Sequence, residues 1–202
     1  MDPEKVRPFS DELEAWLKSA KPKTLLSLDK VFAEKSFAVL FIILLAIPAL
    51  PVPTGGISHV FEAVAILIAL QMLVGRRSLW LPKRWRGLSV GKTMEKKVMP
   101  TLIKVIRWFE KYSRPRFTRT ISSPLTVRFF GLSVIVFSAT AALAIPFSGL
   151  DTLPAMGVVA MSLAFLLEDF LLFIIGLLIG SVGVSLVFLL GKAGFELVLK
   201  LF

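Results

Sequence analysis

The sequence predicts an all-α membrane protein: two repeated broken-helix units, a C-terminal transmembrane helix, and amphipathic helices at the membrane interface. Three observations lead there. Hydrophobic residues make up 55% of the 202-residue chain, and its mean hydropathy is +0.78, more apolar surface than a soluble domain of this length carries. Two long apolar regions, 37–75 and 129–190, hold only His59, Glu62, Asp151, Glu168 and Asp169 as titratable side chains. The tetrapeptide Leu-Ala-Ile-Pro occurs twice, at Leu45–Pro48 and Leu143–Pro146, each time between apolar arms.

Residues 1–36 read as N-terminal surface helices. Ser10-Asp11-Glu12 suits a helix start, with Ser10 as the capping acceptor and the acids at the positive helix end. Lys21-Pro22-Lys23 breaks that helix. A second amphipathic stretch sets Leu25, Leu26, Leu28, Val31 and Phe32 against Asp29, Lys30, Glu34 and Lys35. Both segments are too short and too charged to cross a bilayer. Neither resembles a signal peptide, because Met1 to Lys35 has no long apolar core. Insertion is expected through internal segments.

Residues 37–75 form the first membrane unit, with arms Phe37–Pro48 and Ile57–Val74. As helices the arms span about 18 and 27 Å, against the roughly 30 Å of a hydrocarbon core. Between them stands Pro48-Ala-Leu-Pro51-Val-Pro53-Thr-Gly55-Gly56. Three prolines remove three backbone donors and the glycine pair lets the chain reverse. Backbone left unbonded in this way must be buried in protein, line a wet cavity, or lie outside the bilayer. Two geometries satisfy that requirement. The arms are re-entrant and turn at mid-depth, or they are tilted crossings with the turn in the far headgroup layer.

Residues 129–168 form the second unit, with arms Phe129–Ile145 and Pro154–Leu167. Val64-Ala-Ile-Leu-Ile-Ala-Leu in the first unit resembles Val159-Ala-Met-Ser-Leu-Ala-Phe in the second. Together with the shared Leu-Ala-Ile-Pro this predicts an internal repeat. Residues 169–202 supply the transmembrane helix Phe170–Leu190 and a short amphipathic tail from Gly194. The helix carries Gly176-Leu-Leu-Ile-Gly180, a small-residue face that lets helices approach closely, either within the chain or in a homodimer.

Between the units, residues 76–128 hold fifteen Lys and Arg against Glu95 and Glu110, a larger excess than the chain's net +10. In a membrane protein such a block marks the cytoplasmic side and lies against anionic headgroups. Nucleic-acid binding is not expected. Val98, Leu102, Val105, Ile106 and Phe109 fall on one helical stripe flanked by Lys96, Lys97, Lys104, Arg107 and Lys111. That pattern predicts a cationic helix in the headgroup plane, with Trp108 at its edge.

Candidate functional residues follow from cost. A carboxylate inside a membrane needs a cavity or a partner. His59 and Glu62, three apart on one helical face, make a candidate ion- or proton-handling pair. Glu168 and Asp169 end the matching arm of the second unit and are further candidates. Arg76 and Arg77 sit at the membrane rim, where a guanidinium can clamp a phosphate or meet those acids. Pro48, Gly55, Gly56 and Pro146 are expected to line a central polar pocket that binds substrate. With no cysteine and a lone His59 there is neither thiolate chemistry nor a histidine metal cluster. No flanked nucleophile serine or phosphate-cradling loop is found. An enzyme is not expected, nor a cofactor.

Several phrases together resemble a known family. They are Leu25-Leu-Ser-Leu-Asp-Lys-Val-Phe-Ala-Glu-Lys-Ser, then Leu-Ala-Ile-Pro-Ala-Leu-Pro-Val-Pro, then Gln71-Met-Leu-Val-Gly75-Arg76-Arg77 with Trp80-Leu-Pro82. Leu166-Leu-Glu168-Asp169 before a Gly-spaced apolar helix continues the likeness. This pattern is similar to the exopolysaccharide synthesis family called ExoD, from about Leu25 to Leu190. The second-half motif departs from the family's, where an Arg often separates the Glu from the Asp. The resemblance implies a multi-pass bacterial inner-membrane protein linked to exopolysaccharide production. Within that setting the expected role is a transporter or flippase-like protein for an ion or a lipid-linked anionic carrier. The alternative is a non-transporting partner that organises a polysaccharide-assembly complex.

Overall fold

The computed structural model describes residues 8–20, 22–51, 57–76, 78–80, 91–92, 94–113, 115, 117–144 and 148–201. Among them the regular structure is helical. The helices are α1 (Phe9–Lys18), α2 (Leu25–Phe32), α3 (Glu34–Leu45), α4 (Ile57–Leu73), α5 (Met99–Glu110, after a π-helical turn at Met94–Val98), α6 (Thr118–Ile121), α7 (Pro124–Leu143), α8 (Thr152–Leu167) and α9 (Phe170–Leu201).

Local chemistry accounts for most boundaries. Thr24 and Ser27 form a reciprocal capping box at the start of α2. Ser123 accepts from the Thr126 amide and Pro124 fills the first position of α7. Both Leu-Ala-Ile-Pro sites fall where an apolar arm stops being helical, since α3 ends at Leu45 and α7 at Leu143. Ser10 departs from expectation. It lies inside α1, whose cap residue is Pro8. Its amide instead donates to Glu110 Oε1 at 2.9 Å, and its hydroxyl donates to the same carboxylate. The tail beyond Gly194 is not a separate segment, because α9 runs unbroken to Leu201.

Five helices build the apolar body. α3 packs on α4 and on α8, α4 on α7, and α8 on α7 and most extensively on α9. Phe130 of α7 sits at the centre, fully buried. Its ring meets Phe41 of α3 edge-on at 5.7 Å, stacks on Phe165 of α8 at 5.5 Å and meets Phe173 of α9 at 5.9 Å. Lipid tails are as apolar as this core, so close ring packing rather than exclusion of water favours the assembly in a bilayer.

The α8–α9 seam uses glycine. A Cβ at Gly157 would stand 2.5 Å from the Gly180 Cα, and one at Gly176 would stand 2.7 Å from the Met161 nitrogen. Gly180 also faces the Phe137 ring. The small-residue face through Gly176 and Gly180 is therefore filled by α8 and α7 of the same chain. Of the two uses open to that face, packing within the chain is the one seen, and a homodimer through it would have to displace α7 and α8.

Among the described residues, two helices are long and apolar enough to cross a membrane, α7 and residues Phe170–Lys192 of α9. The outer faces of the body are apolar too, with Leu67, Val74, Leu132, Leu178, Val182 and Phe188 all exposed. An outward apolar surface of this extent matches lipid rather than water.

α1, α2 and α5 form a cap at the end where α3 begins and α4 ends. Phe9 and Trp16 of α1 meet Phe32 of α2 edge-on at 5.3 and 6.2 Å. α1 covers Met99, Leu102, Ile103 and Ile106 of α5. The apolar face of α5 is centred on Met99, Leu102, Ile103 and Ile106, keeping Leu102 and Ile106 of the Val98–Phe109 stripe, and packs on protein. Arg107 fixes that seating by bonding Asp11 at 3.0 Å and Glu14 at 2.6 Å. Val105, Trp108 and Tyr112 are left outside.

Candidate ion and proton site

α4 is apolar over most of its length, yet its second turn carries Glu62. That side chain is fully buried. Helical spacing brings His59 beneath it, with Nδ1 3.1 Å from Glu62 Oε2. The imidazole is 31% exposed while the carboxyl is 0% exposed. His59 therefore links a buried acid to the surface at the end of the body remote from the cap. Asp151, in the turn before α8, is close enough to act electrostatically on Glu62. The second carboxyl oxygen, Oε1, is buried without a hydrogen-bond partner. Ser138 of α7 has a hydroxyl in the same condition. A buried polar atom of this kind is costly and calls for an explanation.

The other candidates scatter. Pro48 is buried in the turn after α3. Gly55, Gly56, Arg77 and Pro146 lie outside the described residues. Arg76 is exposed just beyond α4, where its amide donates to the Gln71 carbonyl. Glu168 pairs with Lys35 at 2.9 Å rather than with Arg76. Asp169 accepts from the Ser113 hydroxyl at 2.9 Å and, through its other oxygen, from the Leu171 amide at 3.1 Å. It thus caps α9 and ties the α5–α6 connection to it. Asp29 plays a similar part, accepting from the Leu79 amide at 2.8 Å and from Ser36 at 3.1 Å. The acids at the capped end are joints between elements, whereas Glu62 at the opposite end holds an oxygen in reserve.

Reading the sequence found His59 and Glu62, because ionisable residues in apolar runs stand out. It missed Ser138. Serine is unremarkable in an apolar helix, and only the spacing of small residues along α7, Gly131 to Ser138, hinted at a shared face.

The exopolysaccharide synthesis, ExoD, family model matches residues 9–189. The chain is 28% identical to an uncharacterized protein of Synechocystis sp. over 169 residues, covering 82% of this chain and 79% of that one. It is 29% identical to Protein ExoD of Rhizobium meliloti over 171 residues, covering 81% of this chain and 69% of that protein. No solved structure matches it. With nearly its whole helical body inside the matched span, the chain belongs to the ExoD family of exopolysaccharide synthesis proteins.

Proposed function

We propose that the chain serves exopolysaccharide production as a multi-pass inner-membrane transporter or flippase-like protein, with Glu62 as its ion-handling residue. The observation that carries this reading is the burial of Glu62 among apolar helices beside a half-open His59. An ionisable group so placed is costly in a bilayer and is kept where ions or protons move. The cargo is an ion, or a lipid-linked anionic carrier moved at an ion's expense. For the second, Arg76 offers an exposed guanidinium at the rim, suited to phosphate. In proteoliposomes holding a pH-sensitive dye, the purified protein should dissipate an imposed proton gradient. Glu62→Gln should cut the rate roughly a hundredfold, the low end of what a positioned proton carrier supplies. Equal rates in protein-bearing and empty liposomes, with and without candidate carrier lipid, would rule the reading out.

One observation favours the alternative role as an organising partner. The Trp108 and Tyr112 rings meet at 5.0 Å, tilted by 55°, on the outer side of α5, next to exposed Lys104 and Lys111. Such an aromatic and cationic face suits a protein partner. If that role is the right one, Trp108→Ala with Tyr112→Ala should lower exopolysaccharide yield while Glu62→Gln leaves it unchanged.

A further inference from the structure

Glu62 Oε1 and Ser138 Oγ are the buried side-chain oxygens without a partner among the described residues. They sit on helices that pack together, α4 and α7. The register of those helices follows from two close approaches. The Arg128 guanidinium stands beside Gly75, and Gly131 lies against the Ala69 carbonyl and the Met72 side chain. α4 and α7 are therefore antiparallel. Seven residues on from Gly131 is Ser138, and seven residues back from Ala69 is Glu62. Seven residues make nearly two whole turns, so the same faces still meet. Val134 and Ala65, midway along each path, are both fully buried.

Ser138 also behaves unlike its neighbours. Ser133, Thr140 and Ser162 each donate to the carbonyl four residues back, at 2.7–2.9 Å. Serine and threonine in helices usually spend their hydroxyl in that way. Ser138 makes no such bond. Its hydroxyl stays unbonded, at the level where the helix register puts Glu62 with an oxygen free.

We propose that Glu62 and Ser138 form a two-helix site for one water molecule, which shares the proton held by the His59–Glu62 pair. The site supplies an acceptor from one helix and a hydroxyl from the other, the minimum set for a bound water. Each transfer balances. His59 takes a proton at Nε2 from solvent as its Nδ1 proton passes to Glu62 Oε2, so the ring ends as the neutral Nε2–H tautomer. The carboxyl turns about its Cγ–Cδ bond and donates that proton in a hydrogen bond to the water, which donates in turn to Ser138 Oγ, and the proton leaves again by the same route through His59. Other charges facing the site are few. Asp151 acts on it from the α7–α8 turn. Arg128 on α7 and Lys35 on α3 lie at the opposite end, and α8 and α9 bring no titratable group between Thr152 and Leu167 or between Phe170 and Gly191.

The inference rests on the transport reading for its use but not for its existence, so binding and flux are measured apart. Difference infrared spectra of the purified full chain, titrated with acid, should show a buried carboxyl C=O band together with a band from one ordered water. Glu62→Gln should remove both. Ser138→Ala should keep the carboxyl band, move it to higher frequency and lose the water band, and Ser138→Thr should restore both. An unmoved carboxyl band in Ser138→Ala overturns the site, as does a moved band with no water signal in the native chain. If the bands behave as expected and liposomes show no flux, the water site stands and only the transport reading falls.

Discussion

Glu14 shows how much one half-buried side chain can organise here. It accepts from Lys18 one turn on and from Arg107 of α5. Those two cations hold its carboxyl at about 2, below the usual 4.5, with the Lys18 hydrogen bond the larger cause and the Arg107 bond next. A group whose folded value is lowered adds stability above its unfolded value and loses it as the pH falls toward its folded one. The seating of α1 on α5 should therefore hold near neutrality and weaken as pH drops from about 4.5 to about 2. Trp16 is buried under that seat. Its fluorescence, in a chain whose other tryptophans are Phe, should report the loosening, and Glu14→Gln should remove most of the pH dependence. An acid titration that is the same in both proteins would show that Arg107 seats α1 through Asp11 alone.

At the scale of elements, close approach between helices sets the tolerance to change. Gly157→Ala puts a methyl into the backbone of α9, and α8 and α9 must separate to admit it. Overpacking of this kind costs about 1–3 kcal/mol. Gly191→Ala, in the same helix pair but with nothing near its added methyl, should be neutral or stabilising by up to about 1 kcal/mol, since alanine suits a helix better than glycine. Thermal unfolding in detergent compares them directly, and equal midpoints for the two variants would mean that the seam is looser than its geometry.

The same elements show what could be read in advance. The arm ends at the two Leu-Ala-Ile-Pro sites were legible because proline acts locally, whereas the Thr24 and Ser123 caps were not singled out. The face of Gly176 and Gly180 was legible too, though not its partner, since a small-residue face does not say what it meets. The centre of the buried face of α5 was hidden because Met99 and Ile103 widen its apolar arc, and the choice within that arc is made by Asp11 and Glu14, about 95 residues away. Ser138 was hidden for the same reason. Whether a helical hydroxyl bonds its own backbone or faces outward depends on the helix opposite.

At the scale of the whole molecule, the antiparallel runs make orientation testable. α3, α7 and α9 run away from the cap, and α4 and α8 return to it. The cap adjoins the basic segment, so it should face the cytoplasm. The turn before α8 and the far end of α9 should then share the opposite side. The chain has no cysteine, so single replacements are clean reporters. In intact cells an impermeant maleimide should label Ser148→Cys and Gly191→Cys but not Lys92→Cys. Labelling of Lys92→Cys alone would invert the scheme.

The burial of α3 bears on how the chain is made. Phe37, Ala38, Val39 and Phe41 have no exposed surface, because α4 and α8 enclose a helix only 12 residues long. Yet α8 leaves the ribosome more than a hundred residues after α3, at the usual pace of about 5–20 residues per second. For several seconds the earliest apolar helix has lost the ribosome's shelter and has not met its final neighbour. At about 18 Å it is too short to wait as a free crossing, so an insertase or the cap must hold it meanwhile. Ribosome-arrested chains ending before Thr152 should therefore crosslink from Val39→Cys to the insertion machinery, and chains extended through α9 should not. A crosslink that survives in the finished chain would mean that α8 never completes the enclosure.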